Sequence, residues 1–195
     1  MVRNSTTAWG WISIIFHWVG AAAILTLLIH GWWMTHLVTG SRVAHYTWHA
    51  ALGYDFLALL VIRLLWRWMN PVPQYPSDFK PWERWSAWLG HFGLYVLMFG
   101  ATIAGWALAG TGRRTFEQDL FGLKIPLIYV SQDRSMHGLL EETHEILSYL
   151  LAALIVIHLV GALRHHLIKK NDVLRRMLWS TGPGAEAADG RQAAE

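Results

Sequence analysis

The sequence predicts an all-α integral membrane protein folded as one four-helix bundle. Three observations carry this. Of 195 residues, 54% are hydrophobic and 15% charged, and the mean hydropathy is +0.28. A soluble domain carries about a quarter charged residues. Four stretches, at about residues 11–33, 47–66, 86–109 and 141–166, are apolar over the ~20 residues needed to cross a bilayer. Ten of the 13 tryptophans (Trp9, Trp11, Trp32, Trp33, Trp48, Trp66, Trp68, Trp85, Trp88 and Trp106) fall near the ends of those stretches. Amphipathic rings prefer that depth.

The chain has no cysteine. Disulfides, thiolate metal sites, iron–sulfur clusters and covalent CxxCH haem attachment are therefore excluded. The formal net charge of +3 is small for a chain with this much membrane sequence. It reports loop orientation, not nucleic-acid binding.

In chain order, Met1 to Ala8 is short and polar, with Arg3 as its one side-chain cation. No cleavage pattern precedes the first span, so that span is expected to be retained. The first span holds His17 about two turns inside its start and His30 near its far end, and a short linker with His36, Gly40, Arg42 and His45 follows. The second span contains His49, Asp55 and Arg63. The connection NPVPQYPSDFKP cannot continue a helix, because proline lacks the amide donor and clashes with the preceding turn. The third span has His91 near its start, and the connection from Gly110 to Gly138 mixes Arg113, Arg114, Lys124 and Arg134 with Glu117, Asp119 and Asp133. After the fourth span, IKKNDVLRRMLW reads as a basic surface segment. Residues 1–180 form the expected membrane domain, and residues 181–195 are small and polar, reading as a disordered tail.

Cations near the span ends set the orientation. Arg3, Arg67, Lys80, Arg84, Lys169, Lys170, Arg175 and Arg176 collect on one side; Arg42, Arg113, Arg114, Lys124 and Arg134 collect on the other. The bias places both termini in the cytoplasm.

The fourth span carries the chemistry. His144 and His158 lie fourteen residues apart on it. That spacing turns through roughly 1400°, about 40° short of four turns, and rises roughly 21 Å. The two imidazoles share a face, one towards each side of the bilayer. With the amino terminus inside, His17 lies near the inner side and His49 near the outer side. Depth therefore pairs His49 with His144, and His17 with His158. Each pair is placed to clamp one haem iron from opposite faces, giving a six-coordinate centre that passes electrons and has no open position. The bland alternative is polar residues paired inside a bundle, but ionisable groups in spans are costly and usually functional. His45, one turn before His49, is its rival.

Gly53 and Gly161 suit close approach of a flat ring, or ordinary small-residue helix packing. Arg63 and Arg67 are placed to meet haem propionates, or to act as positive-inside anchors. His91 and His165 are candidates for hydrogen bonding a quinone carbonyl and moving a proton, or are interfacial residues with no ligand. His30, His36, His45, His137 and His166 read as interfacial or loop residues. No role is assigned to Asp55.

The segments SIIFHW, WHAALGYDFLALLVIRLLWR followed by NPVP, LGHFGLYVLM, and THEILSYLLAALIVIHLVGALRHH with KKNDVLRRM resemble the prokaryotic cytochrome b561 family. The likeness runs from about Trp11 to Met177 and is nearest to the superoxide oxidase branch. It implies a bacterial inner-membrane bundle enclosing two non-covalent b-type haems, with His17, His49, His144 and His158 as axial ligands. It further implies exchange with the quinone pool, with ubiquinone as acceptor. In that branch superoxide is the donor at the outer haem. A cationic mouth would steer that anion, and Arg113, Arg114 and Lys124 are the candidates. Glu117, Asp119 and Asp133 in the same connection weaken its field. Two other readings stand beside this one. One is an electron-transfer subunit for a periplasmic dehydrogenase or hydrogenase. The other is a haem-free, histidine-lined metal or proton transporter.

Overall fold

The computed structural model describes residues 1–111, 118–120, 123–125 and 133–179. The order of elements is α1 (Trp11–His36), α2 (Val43–Trp68), α3 (Pro81–Gly110), β1 (Gln118–Leu120), β2 (Leu123–Ile125), α4 (Arg134–Leu167) and α5 (Arg175–Leu178). α1 to α4 are each long and apolar enough to cross a membrane. The chain is a multi-pass membrane protein. We call the end with the amino terminus, the residue 70–80 connection and α5 the near end, and the opposite one the far end.

The helices outrun the apolar stretches, because end chemistry stops a helix and hydropathy does not. α2 starts at Val43 and so includes His45, which the sequence placed in a linker. α3 begins with Pro81 at its first position, where a missing amide costs nothing. α4 begins at Arg134, with Asp133 as its cap accepting from the Ser135 amide, so Gly138 is helical and not in a loop. The connection between α3 and α4 contains an antiparallel ribbon that the all-α expectation did not include. Its register pairs Gln118 with Ile125, Asp119 with Lys124 and Leu120 with Leu123, and β1 lies against α2. Residues 181–195, read from sequence as a tail, lie outside the described residues.

α3 packs along α4, α1 along α2, and α2 along α3. The core sits halfway along the bundle: Ile24, Leu27, Phe56, Leu60, Leu94, Met98 and Leu151 form one buried cluster. Leu60 and Leu151 are 1% and 0% exposed. Elsewhere the apolar surface faces outward, as with Ile157 at 66% on α4. In lipid that surface costs nothing to leave uncovered.

The near end is tied together by polar contacts. Asn4 Oδ1 accepts from the Gly10 amide (2.9 Å) and from Ser13 Oγ (2.7 Å), and Asn4 Nδ2 donates to the Pro71 carbonyl (2.9 Å). A Cβ at Gly10 would lie 2.4 Å from the Val2 carbonyl oxygen, so only glycine permits this turn. Trp66 Nε1 donates to Ser13 Oγ (3.0 Å), and Trp18 Nε1 donates to the Met177 carbonyl (2.7 Å), holding α5 against α1. The first eight residues therefore form a built cap on the bundle.

Glu83 clasps α3 to α4. It is 3% exposed, accepts from the Lys80 amide (3.0 Å), and meets Arg164 at 3.1 Å and Lys169 at 3.5 Å. Removing one partner of a buried pair strands the others. Glu83→Gln is expected to lower the thermal unfolding midpoint of the detergent-solubilised protein while leaving its visible spectrum unchanged. An unaltered midpoint would show that the clasp carries no stability.

Candidate functional site

Two pairs of imidazoles face each other across the bundle, one towards each end. At the far end the His49 and His144 ring centres are 6.2 Å apart, with planes at 87°. At the near end the His17 and His158 ring centres are 6.3 Å apart, with planes at 58°. Leu151 lies seven residues from each α4 histidine, about 10 Å along the axis, so the apolar cluster separates the two pairs.

The expected haem gives these distances a test. Imidazole bonds to first-row metals run about 2.0–2.1 Å, as for zinc. Two such bonds in line, plus roughly 1.1 Å from each nitrogen to its ring centre, put ring centres about 6 Å apart. Both pairs fit a single metal between them.

The far pair is also held in the required form. His144 Nδ1 lies 2.8 Å from the Ala101 carbonyl oxygen. A carbonyl only accepts, so Nδ1 carries the proton and Nε2 keeps its lone pair. Gly105 makes room for this ring: a Cβ there would lie 2.9 Å from His144 Cε1 and 3.1 Å from its Nδ1. Gly31 does the same for His49, where a Cβ would come within 3.2 Å of Cε1. His49 Nδ1 is buried with no hydrogen-bond partner among the described residues.

The near pair is arranged differently. Arg63 Nη2 approaches His17 Nδ1 at 3.4 Å. A guanidinium only donates, so this contact makes Nδ1 the acceptor and leaves the proton on Nε2. Ligation through Nε2 requires Arg63 to withdraw. Arg63 is packed over the Tyr95 ring at 5.6 Å, and Gly20 leaves space for it, since a Cβ there would lie 3.4 Å from Nη1. No acidic residue forms an ion pair with it among the described residues. A cation in that setting suits an incoming carboxylate. Arg67, one turn further along α2, is half-buried.

Gly53 and Gly161 are partly buried, yet a Cβ at either would meet no protein atom within 4 Å. Polypeptide packing does not require glycine at those two positions. Together with the orphaned His49 nitrogen, this open space fits a bulky flat group. The residues present therefore suit the haem that the resemblance implies.

Several partners were not legible in the sequence. His91 stands against His158, with ring centres 5.3 Å apart. His165 does not join that group. It stacks on Phe79 at 4.4 Å, and its Nδ1 lies 3.0 Å from Asn171 Nδ2, beside the Glu83 clasp. His30 and His45 belong to the far cluster. His30 stacks near-parallel on His49 at 5.9 Å and lies 5.7 Å from His45. Their common depth was the available signal, but depth does not say which way a helix is rotated. His137 is built into a helix contact, with Nδ1 at 2.6 Å from Thr111 Oγ1, and His36 Nδ1 lies 2.9 Å from the Trp32 carbonyl oxygen. Tyr54 and Trp106 meet edge to face at 5.9 Å, and the Tyr54 hydroxyl, Trp106 Nε1 and Asp55 Oδ1 are all buried without partners among the described residues. Arg113 and Arg114 lie outside the described residues, and Lys124 stands on β2 opposite Asp119.

The sequence pattern of prokaryotic cytochrome b561 matches residues 8–180. The chain is 32% identical to cytochrome b561 homolog 2 of Escherichia coli (strain K12), over 90% of this chain and 93% of that one. It is 26% identical to a probable superoxide oxidase of Yersinia pestis, over 86% and 93%. It is 24% identical to a probable Ni/Fe-hydrogenase B-type cytochrome subunit of Rhizobium leguminosarum bv. viciae, over 84% and 83%. With four membrane-spanning helices and facing imidazoles already established, these matches identify the chain as a membrane electron-transfer protein that belongs to the prokaryotic cytochrome b561 family, whose members carry b-type haem.

Proposed function

We propose that this protein holds two b-type haems, one on His49 and His144 and one on His17 and His158, and acts as a superoxide:quinone oxidoreductase. The observation that carries this is the pair of 6.2 and 6.3 Å imidazole separations with an apolar layer between them. Both termini lie in the cytoplasm, so the far end faces the periplasm. The balanced reaction is two superoxide ions, one quinone and two protons giving two dioxygen molecules and one quinol.

The haems supply one-electron transfer; the chain supplies position, charge and protons. The four imidazoles would hold the haem irons and so leave dioxygen no metal site. Arg63, freed from His17, and Arg67 would meet propionates at the near end. His91, against His158, is the quinone-facing proton donor there. Its neutral imidazole donates to a carbonyl oxygen as charge develops. His165 serves the same quinone only if it leaves Phe79 and Asn171, so His91 is the stronger candidate of the two.

Arg113, Arg114 and Lys124 steer superoxide to the far end. Replacing Arg113 and Arg114 with glutamine is expected to slow superoxide-driven haem reduction several-fold at low ionic strength. The effect should fade as the Debye length shortens from about 30 Å at 0.01 M salt to about 8 Å at 0.15 M. An unchanged rate at low salt would remove the steering role.

The test of the whole reading is reduction of the purified haems by a superoxide source, followed by their reoxidation on adding ubiquinone. Failure of the first step would leave the second reading, a haem subunit serving a periplasmic dehydrogenase or hydrogenase. The likeness to the Rhizobium protein favours that reading, and co-purification of a large periplasmic partner would support it. A preparation without a Soret band would return the haem-free transporter, against which family membership argues.

A further inference from the structure

A cavity of about 520 Å³ opens at the near end, away from the histidine pairs. Its lining includes Thr6 and Thr7 of the amino-terminal cap, Gln74 and Ser77 of the connection before α3, Arg84 of α3 and Arg176 of α5. Four separate parts of the chain thus build it, and hydrogen bonds tie three of them together. The Gln74 amide donates to the Thr6 carbonyl at 2.8 Å, and Arg176 Nη1 donates to the Gln74 carbonyl at 3.1 Å.

The lining selects an anion. It holds two guanidiniums and, among the described residues, no carboxylate. Two acidic residues stand close by and are already engaged. Asp172 Oδ2 meets Arg176 Nε at 2.6 Å, which neutralises part of that charge, and Asp78 Oδ2 accepts from Asn171 Nδ2 at 3.2 Å. Arg84 is exposed and forms no ion pair among the described residues. A free guanidinium with threonine and serine hydroxyls around it suits a phosphate, whose oxygens accept several charge-assisted hydrogen bonds at once. The volume lies within the range of small-ligand sites, about 300–1,000 Å³, so a glycerol fits beside the phosphate.

The helix below the cavity favours one source of phosphate. Arg84, Trp88 and Phe92 follow at four-residue intervals, so they run down one side of α3 from its first turns into the span. Trp88 and Phe92 stack at 5.5 Å with planes 3° apart, and they are 52% and 53% exposed. A cation therefore stands above an aromatic strip, the same order of chemistry as along an anionic phospholipid. We propose that this cavity binds the phosphate of an anionic phospholipid headgroup. Arg84 is its main counter-charge, Arg176 and the hydroxyls complete the site, and an acyl chain lies along Trp88 and Phe92. A soluble phosphate shares the headgroup chemistry but makes no use of the strip.

The experiment uses the haem-loaded protein in detergent. Dioleoyl phosphatidylglycerol and dioleoyl phosphatidylcholine are titrated by native mass spectrometry, and radiolabelled inorganic phosphate by equilibrium dialysis. Phosphatidylglycerol is expected to bind more tightly than phosphatidylcholine, whose choline cation would face Arg84. Arg84→Gln should weaken phosphatidylglycerol at least about tenfold, the factor that loss of one charge-assisted hydrogen bond gives. Arg175→Gln removes an equal charge from an exposed neighbour outside the lining and should leave the affinity unchanged. Trp88→Ala should weaken the lipid and not inorganic phosphate. Equal weakening in Arg84→Gln and Arg175→Gln, or equal affinity for the two lipids, would overturn the site, leaving only general surface charge. Inorganic phosphate bound through Arg84 with no preference for phosphatidylglycerol would overturn the lipid as occupant and make the ligand a soluble phosphate.

Discussion

His144→Ala is expected to halve the haem content of the purified protein, from the proposed two per chain to one. The retained haem should keep its own spectrum. The cause is geometric: the His144 ring faces that of His49 at 6.2 Å across the far end, and its Nδ1 bond to Ala101 presents the lone pair needed for ligation. His49→Ala should remove the same spectral component, while His17→Ala and His158→Ala should remove the other. Haem-to-protein ratios with low-temperature alpha-band spectra would read this directly. The pairing is wrong if His49→Ala and His158→Ala delete the same component.

Gly105→Ala should approach the severity of a ligand substitution without touching a ligand. Its new Cβ would stand 2.9 Å from His144 Cε1 and 3.1 Å from Nδ1, closer than packed atoms tolerate. The ring must shift, and the hydrogen bond to Ala101 shifts with it. Loss of such an outer contact typically weakens metal binding about 10–100-fold. Haem retention at the far site should fall accordingly on dilution or competition with apo-myoglobin, with the near haem retained. Intrinsic helix propensity runs the opposite way, since alanine is favoured over glycine by about 1 kcal/mol in a helix. A drop in haem therefore cannot be assigned to a weakened α3. Gly138→Ala is the control, because a Cβ there meets nothing within 4 Å. Equal haem loss in both variants would show that the clash with His144 is not the cause.

The sequence made the spans and the depths legible, because long apolar runs and the spacing of His144 and His158 are one-dimensional facts. Rotation about each helix axis was not legible. In a membrane both the core and the lipid face are apolar, so no periodic pattern points inward. Thus His30 and His45 read as interfacial, although both rings pack into the His49 cluster. His91 and His165 read alike, yet one reaches His158 and the other is held at Phe79 and Asn171. Gly53 and Gly161 attracted attention in the sequence. The glycines that touch histidine rings are Gly31 and Gly105, which no local motif marks. Helix ends were misjudged where the Lys80 and Asp133 caps start a helix well before its apolar run.

The buried cluster around Leu60 and Leu151 is wholly apolar, with the Tyr95 ring packed against it. Protons need polar stations to hop between, and that cluster supplies none. Electrons, which tunnel through hydrocarbon, are under no such restriction. Traffic between the two ends would therefore move naked charge through the insulating centre of the bilayer. A full crossing works with or against about 2.3 kcal/mol for every 100 mV of membrane voltage. The respiratory state of the cell would thus set the direction in which this protein runs most easily.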